Sequence, residues 1–365
     1  MQALKFATRP LTRSLVLKPS PSAARCFSAG LASMRSAHFP EWASEEAVAS
    51  AQGLLARFPL EGEPAASQTQ RLDATHLFQQ RLLLSDMVPP HAPLVDPAEG
   101  TPLLPGEHLC FFLPRARSAD LGADGSDRTF NPPAPFVRRM WAGGSMTWSR
   151  ENPLLVGEKA YEHTWVEDVQ VKRTAKGDEM LVVWVRKELG NERGPSIEDR
   201  RSWLFQRPLQ DGGGALPRPV QSQHGEPAQS DKLGLAAGAT AVQQTPATLF
   251  RYSALTYNAH AIHLDAQWAR EREGHPTTVV HGPMTLALLL RKWGAEHAGW
   301  RIEHDGRLRG DAGKLARVEY RAKRPLWTGE RYWLGKVEAS SGSTDTMLAV
   351  KEDGTVVMEA IISPA

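Results

Sequence analysis

Two neighbouring segments contain side chains suited to acid–base chemistry. They are RYSALTYNAHAIHLD (residues 251–265), with Asn258, His260 and His263, and VVHGPMTLALLLRKW (residues 279–293), with His281 and Gly282. Because imidazole titrates near physiological pH, clustered histidines can accept and donate protons. The alternative is a loop whose histidines are structural. A metal site is disfavoured, since no convincing carboxylate or cysteine partner accompanies the three histidines.

The second segment predicts the helix that must position this chemistry. Residues 284–290, MTLALLL, leave almost no polar face, and a helix that is apolar nearly all round is buried. Pro283 suits the first helical turn, and Gly282 lets a ligand approach the backbone closely. The free N–H groups at such a helix start can stabilise a developing negative charge.

The rest of the chain predicts antiparallel sheets around buried helices. A helix is expected over residues 41–58, with Ser44 or the carboxylates after it at its start. Strands are predicted on both sides of the turn at residues 176–178, and over 199–208, 247–255 and parts of 314–362. This pattern occurs twice and predicts an α+β double hotdog, in which each unit is an antiparallel sheet wrapped around a buried apolar helix. The expected domains are residues 40–208, a linker or insertion at 209–246, and residues 247–365.

Composition excludes several classes of protein. The 43 basic and 41 acidic residues leave a net charge of +2, which argues against a nucleic-acid partner. No apolar run is long enough to predict a membrane span. Cys26 and Cys110 are the only cysteines, so neither a disulfide framework nor a zinc-type spacing is present in the sequence. A reducing, intracellular setting is the simplest interpretation.

The first 35 residues predict a mitochondrial transit peptide. The chain contains six basic residues and no acidic residue before Glu41, and it is rich in serine. Such a segment resembles a mitochondrial presequence more than a secretory signal, which needs a continuous apolar core. The sequence Arg25-Cys26-Phe27-Ser28 also resembles a mitochondrial cleavage pattern. A disordered basic tail is the alternative; the transit peptide predicts a location in the mitochondrial matrix.

Residues 248–335 resemble the MaoC-like hydratase family. The tail of that family's site motif is matched by Ile262-His263-Leu264-Asp265, and its His-Gly pair at the start of the buried helix is matched by His281-Gly282. The strand and turn that follow are matched by residues 325–330. Within the family, the sequence of residues 251–265 is most similar to that of fungal mitochondrial 3-hydroxyacyl-thioester dehydratases type 2 and mesaconyl-CoA hydratase-like proteins. The N-terminal half resembles the degenerate first hotdog of such chains.

One departure from the family changes the proton inventory of the site. The family's catalytic aspartate aligns with Asn258, and its asparagine aligns with His260. An asparagine neither gives nor takes a proton at physiological pH. The resemblance therefore implies His263 as base and acid, with Asn258 binding the leaving hydroxyl and His260 taking over part of the aspartate's work.

The remaining candidate residues are assigned to substrate binding. The N–H of Gly282 is the candidate oxyanion donor for an enolate-like oxygen. His281 is expected to fix the turn or line the acyl pocket. Tyr252 is either a pocket ligand or a core residue, and Asp265 is expected to cap a short helix.

The resemblance implies a thioester substrate and no cofactor. The reaction would be reversible dehydration of (3R)-3-hydroxyacyl thioesters to trans-2-enoyl thioesters in mitochondrial type II fatty acid synthesis, with the acyl group on coenzyme A or acyl carrier protein. The basic region 291–324 suits docking of an acidic carrier protein. Pairing of two chains into a homodimer stays open.

Two other functions are considered. The first is a CoA-specific hydratase of a short dicarboxylic or branched enoyl-CoA, of the mesaconyl-CoA type, in which Arg138 or Arg139 pairs with the distal carboxylate. The second is a non-catalytic hotdog protein that binds acyl groups. A thioesterase is disfavoured, because residues 284–292 contain no carboxylate that would act as base or nucleophile on the buried helix.

Overall fold

The computed structural model describes residues 39–58, 62–209, 220, 233–338 and 343–365. The predicted transit peptide, residues 1–35, lies outside the described residues, as does most of the predicted linker. The residues from Phe39 onward form one compact unit. No helix in the described part of the chain is long and apolar enough to cross a membrane.

Ten of the strands in the described ranges form one antiparallel sheet with two mirrored halves. The first half contains β1 (Ala66–Arg71), β2 (Arg138–Trp148), β3 (Lys159–Arg173), β4 (Glu179–Asn191) and β5 (Gly194–Gln206). The second contains β6 (Thr240–Gln243), β9 (Leu315–Ala322), β10 (Arg331–Lys336), β11 (Asp345–Lys351) and β12 (Val356–Pro364). A separate small pair is formed by β7 (Arg301–Ile302) and β8 (Leu308–Arg309).

The strand order shows how the two halves join. It runs β1-β3-β4-β5-β2-β9-β12-β11-β10-β6, so that the second half repeats the first in reverse and β2 pairs with β9 at the centre. This is the double hotdog that the sequence predicts. The predicted hairpin at residues 176–178 is confirmed between β3 and β4, and the predicted strand at 199–208 overlaps β5, which begins five residues earlier and ends at Gln206. Strand β6, from the predicted linker, pairs with β10.

Five α-helices occur among the described residues. They are α1 (Glu45–Arg57), α2 (Ala74–Ser85), α3 (Pro246–Leu255), α4 (Ala266–Glu271) and α5 (Gly282–His297). The Ser44 side chain caps α1 by accepting a hydrogen bond from Ala47 N, as predicted. The predicted cap at Asp265 is also confirmed, since its side chain accepts from the backbone N–H groups of Gln267 and Trp268 at the start of α4.

The prediction of a strand at residues 247–255 is wrong, because this stretch forms α3. Thr245 and Thr248 make a reciprocal capping box, and Pro246 occupies the first turn, where its missing N–H costs nothing. Leu249, Tyr252, Ser253 and Leu255 are the buried residues of the helix, at helical spacing. The capping signal was therefore present in the sequence and outweighs the short apolar run.

Helix α5 is the centre of the second half, as its sequence predicts. Leu286, Leu288, Leu289 and Leu290 are fully buried, and the helix contacts β9, β10, β11, β12 and also β2. Residues 284–295 are all buried. The helix is thus enclosed by the curved sheet.

Burial of α5 corrects the predicted basic docking region. Arg291 is buried and donates to the carbonyl oxygens of Val88 and Pro90. Lys292 is buried too, and its Nζ lies 2.6 Å from both the Gly238 carbonyl oxygen and Glu296 Oε1. These two cations satisfy internal acceptors and are not available to a partner.

The first half has a different element where α5 lies in the second. Between α2 and β2 the described chain forms only short 3-10 turns, at Glu107–Cys110 and Ser118–Asp120. The turn at residue 107 packs against α5, because a Cβ on Gly106 would lie 3.2 Å from Leu290 Cδ1. Helix α1 packs against β3 and β4 near one end of the first sheet half, so neither it nor these turns enclose the inner face as α5 does in the second half.

Candidate active site

A cavity of about 940 Å³ is lined by both halves of the chain. All six residues that the sequence singles out lie on its wall: Tyr252, Asn258, His260, His263, His281 and Gly282. The first half contributes side chains from β1 to β5 and from the loop before β2. The cavity therefore joins the start of α5 to the inner face of the first half of the sheet.

His263 is held as a neutral base. Its Nδ1 lies 2.7 Å from the Val279 carbonyl oxygen, which can only accept, so Nδ1 carries the proton and Nε2 has the free lone pair. Burial, helped by the charges of His281 and His260, lowers the pKa of His263 well below its usual range. At neutral pH the ring is therefore ready to accept a proton.

His281 supports the ring of His263. The two imidazoles stack with centroids 3.7 Å apart and planes 19° apart. The Nε2 atom of His281 lies 2.9 Å from Ser253 Oγ on α3, and burial followed by the charge of His260 lowers its pKa to about 3. His281 thus stays neutral and fixes His263 between the start of α5 and α3.

The start of α5 is open to the cavity. No side chain caps it, although His281 occupies the capping position, and Pro283 follows in the first turn. Gly282 is required there, because a Cβ would lie 2.4 Å from Cε3 of Trp141, a residue of β2. Since no side chain caps the helix, the Gly282 N–H remains available as a donor at the positive end of the helix dipole.

The two tyrosines of the site segment lie in different environments. Tyr252 is fully buried, its ring is 4.9 Å from that of His281, and its hydroxyl has no partner among the described residues. Tyr257 is two-thirds exposed and has a positive φ of 48°. Of the two, Tyr252 presents a polar atom to buried space beside the histidines.

Asn258 and His260 form a tight turn in front of His263. The Asn258 side-chain oxygen lies 3.2 Å from the backbone nitrogen of His260 and accepts its N–H, which leaves the Asn258 NH₂ group free to donate. The His260 ring is buried, and its Nε2 lies 3.1 Å from Oδ2 of Asp124. Asp124 comes from the loop before β2 and was not anticipated from the sequence.

A second unanticipated feature is a band of charged residues on the inner face of the first half, which we call the polar band. Its members are Glu162 and Thr164 on β3, Lys187 on β4, and Asp199 and Arg201 on β5. Lys187 Nζ lies 2.9 Å from Glu162 Oε1, and Arg201 is paired with the fully buried Asp199. His108 lies 3.5 Å from Asp199. On β3 and β5 the polar residues of the band lie two positions apart, and this spacing is a signal that the sequence did contain.

The polar band continues into the second half. Gly144 on β2 is opposite both Arg201 on β5 and Tyr320 on β9, and its missing side chain brings these two residues close together. The Tyr320 hydroxyl and both ring nitrogens of His108 are buried without a hydrogen-bond partner in the described structure. Unpaired buried polar atoms are costly, so this end of the cavity is suited to a polar group.

The two arginines predicted to bind a carboxylate are separated by the strand. Arg139 lines the cavity and donates to the Asp127 carbonyl oxygen. Arg138 points elsewhere and pairs with Glu273, with 2.7 Å between Nε and Oε2. Across the described ranges, no cluster of three or more histidine, cysteine, aspartate and glutamate side chains is arranged to hold a metal ion.

Comparison with known families agrees with this geometry. A family described as hydroxyacyl-thioester dehydratase type 2 matches residues 106–328, which is more than half of the chain. The chain belongs to this family. The match includes the site segment, the start of α5, and the part of the first half that contributes Asp124 and the polar band.

Two characterised relatives share the match. A mesaconyl-C(4)-CoA hydratase of Chloroflexus aurantiacus is 33% identical over 196 residues, which cover 53% of this chain and 65% of that protein. A mitochondrial hydroxyacyl-thioester dehydratase type 2 of Schizosaccharomyces pombe is 26% identical, covering 53% of this chain and 67% of that one. The chain therefore spans about two thirds of the length of these relatives.

Solved structures share the fold. A MaoC-like dehydratase from Phytophthora capsici superposes with a TM-score of 0.55 at 17% identity, covering 84% of this chain and 97% of the other. The HtdX protein of Mycobacterium tuberculosis gives a TM-score of 0.52 at 15% identity, covering 82% and 100%. At these identities the likeness concerns the fold.

Proposed function

We propose that the chain catalyses the reversible dehydration of (3R)-3-hydroxyacyl thioesters to trans-2-enoyl thioesters. The observation that carries this proposal is His263, whose Nδ1–H is committed to Val279 and whose Nε2 is free beside the open start of α5. A neutral base next to an oxyanion donor is what removal of a weakly acidic α-proton needs. Membership of the dehydratase family supports the same reaction.

The residues divide the work as follows. The Gly282 N–H donates a hydrogen bond to the thioester carbonyl oxygen, which gains negative charge as the α-proton leaves, and His263 Nε2 takes that proton. The NH₂ group of Asn258 donates to the β-oxygen and holds it in place. His281 and Tyr252 form the wall beside the reacting carbons.

The proposed cellular setting is mitochondrial fatty acid synthesis in the matrix. The basic, acid-free first 35 residues support import, and one relative of the chain is named as mitochondrial. In that setting the acyl group is carried by acyl carrier protein, and coenzyme A thioesters serve as shorter analogues.

The test is hydration of crotonyl-CoA, which is measured as the loss of the ultraviolet absorbance of the conjugated enoyl thioester. We expect wild-type activity and a loss of at least ~10²-fold in His263→Ala, the usual effect of removing a general base. His304→Ala is the matched control, because His304 is exposed and does not line the cavity. Equal rates for His263→Ala and wild type would contradict the assignment of the base.

A second candidate is hydration of a short dicarboxylic enoyl-CoA, and the polar band favours it. A long alkyl chain has no use for Arg201 and His108 on the cavity wall, whereas a terminal carboxylate would satisfy them. Arg139 is a further cation on the same wall. A higher kcat/KM for mesaconyl-CoA than for crotonyl-CoA, in the assay above, would select this candidate.

A further inference from the structure

The contact between Asp124 and His260 links the first half of the chain to the reacting histidines. His260 Nε2 and Asp124 Oδ2 are 3.1 Å apart, both side chains are largely buried, and His260 lies at the cavity wall. The Asp124 carboxylate also accepts from the backbone N–H of Ser126 at 3.0 Å and from its hydroxyl at 2.8 Å. These two hydrogen bonds hold the carboxylate beside the ring.

The backbone fixes the same contact independently. The N–H of Ala261 donates to the Asp124 carbonyl oxygen at 2.7 Å, so the loop is bonded to the residue that follows His260. Gly125 has a φ of +74°, and a Cβ there would lie 2.3 Å from the Ala259 carbonyl oxygen. Only glycine permits this approach, and the loop is therefore built to present Asp124 to His260.

The contact leaves one ring nitrogen of His260 for the cavity. Because Nε2 faces Asp124, Nδ1 is the atom that can reach a substrate on the cavity side. The rings of His260 and His263 are 5.6 Å apart and nearly perpendicular, at 85°. Two imidazoles at this separation can act on neighbouring carbons of one substrate, one as base and the other as acid.

The electrostatics distinguish the two histidines. Burial alone would raise the pKa of Asp124, but the contact with His260 and the hydrogen bonds of Ser126 outweigh it and hold that pKa well below its usual range. Asp124 is therefore ionised beside His260, whereas the hydrogen-bond partner of His263 is the Val279 carbonyl oxygen and its ring is neutral.

We propose that His260 is the catalytic acid of the dehydration and that Asp124 is the positioning residue that holds its ring in place. This inference rests on the proposed dehydratase function. It also accounts for the departure at position 258, since the carboxylate missing from Asn258 is supplied by the first half of the chain.

In the proposed dehydration, His263 Nε2 takes the α-proton, and the C–H electron pair becomes the new Cα=Cβ bond. The Cβ–O bond breaks, its electron pair stays on oxygen, and the oxygen takes the proton from His260 Nδ1 to leave as water. Proton exchange with solvent then resets His263 to neutral and His260 to protonated. Hydration is the reverse sequence.

The test is the kcat and KM of Asp124→Asn and His260→Gln in the full chain. We expect kcat to fall by ~10²-fold in both, with KM within about threefold of wild type, because the acid acts on the leaving group in the transition state. The double variant should be no worse than His260→Gln alone. Asp120→Asn, an exposed carboxylate in the same loop, is the control.

Each outcome is decisive. Wild-type kcat in a folded Asp124→Asn protein would overturn the inference while leaving the dehydratase function intact. Should Asp124→Asn fail to fold, His260→Gln carries the test, and wild-type kcat in that variant overturns it equally. No activity of the wild type on any enoyl thioester would instead reject the proposed function, together with the inference that rests on it.

Discussion

The two halves of the sheet share a strand order and differ in what covers their inner faces. In the second half, β9 to β12 present apolar side chains to α5, whose residues 284–295 are all buried. In the first half, β3 to β5 present apolar side chains only near their ends, with the polar band between them. The same architecture thus encloses a helix on one side and part of a ligand cavity on the other.

This difference shows how one chain divides stability from binding. A helix that is buried all round stabilises the second half and fixes the N–H groups and histidines at its start. The first half, with short turns in place of that helix, leaves space and supplies polar groups from its strands and from the Asp124 loop. Each half therefore contributes what the other lacks, and neither contains the complete site.

The largest expected effect tests whether buried charge holds the first half together. Arg81 on α2 and Glu107 make two parallel contacts, of 2.6 and 2.9 Å, and both side chains are buried. Glu107→Ala leaves the guanidinium unpaired, which should lower the free energy of unfolding by roughly 4 kcal/mol in urea denaturation. Glu99→Ala, which breaks the exposed pair with Arg71, should cost less than about 1 kcal/mol.

A double replacement sharpens this test. Arg81→Met combined with Glu107→Leu removes both charges and restores apolar contacts, and it should recover most of the lost stability. If Glu107→Ala cost no more than Glu99→Ala, the first half would depend on its apolar clusters alone, and the contrast with the second half would be much weaker.

A smaller effect is the pH dependence of the free energy of unfolding, to which buried groups of the two halves contribute in different pH ranges. Burial and the charge of His260 lower the pKa of His281 to about 3, whereas an unfolded histidine titrates near ~6.5. Between these values the unfolded state binds the extra proton, so stability falls as pH falls. From pH 7 to pH 5 this residue alone should cost roughly 2 kcal/mol.

The first half should respond in a lower window. Burial alone would raise the pKa of Asp199, but the charges of Arg201 and His108 outweigh it and hold that pKa well below its usual range. The contribution of Asp199 to the free energy of unfolding is therefore present above pH ~3.9 and is lost as the pH falls below it. Urea denaturation at pH 7, 5 and 3.5 measures both windows. In His281→Phe the free energy of unfolding should decrease less between pH 7 and pH 5 than in the wild type, whereas in Asp199→Asn that decrease should be unchanged. Equal decreases in the two variants would contradict the assignment.

Much of the second half could be predicted from the sequence, because its signals are local. The apolar run of residues 284–290 and the His281-Gly282 pair each predict a structure from a few adjacent residues, and both are confirmed. In the first half, the turn around Gly177 is an equally local signal and is also confirmed. The six candidate residues also lie on one cavity. The strand predicted at 247–255 is wrong, because a capping box and a proline at the start of this stretch favour a helix more strongly than its short apolar run favours a strand.

The features that were missed depend on contacts across the chain. Asp124 lies in a loop with no periodic pattern, and it reaches His260 only because the loop before β2 docks on the site segment. Arg291 and Lys292 looked exposed because charged residues usually are, but each finds backbone carbonyl acceptors in distant segments. No local pattern specifies such partners.

The smallest effect compares one helix cap from each half. Asp265 caps α4 through the N–H groups of Gln267 and Trp268, and Asp73 caps α2 through that of His76. Each change to alanine should lower the free energy of unfolding by about 1 kcal/mol, and each change to asparagine by less, because the acceptor oxygen remains.

The two caps should differ in their effect on activity. The backbone N–H of Asp265 donates to the Ala261 carbonyl oxygen, so this cap also anchors the segment that contains His260 and His263, whereas Asp73 anchors no site residue. At matched stability, Asp265→Ala should therefore lower kcat more than Asp73→Ala does. Equal kcat values would mean that the site segment is held by Val279 and the Asp124 loop alone, and that the second half positions its histidines without help from α4.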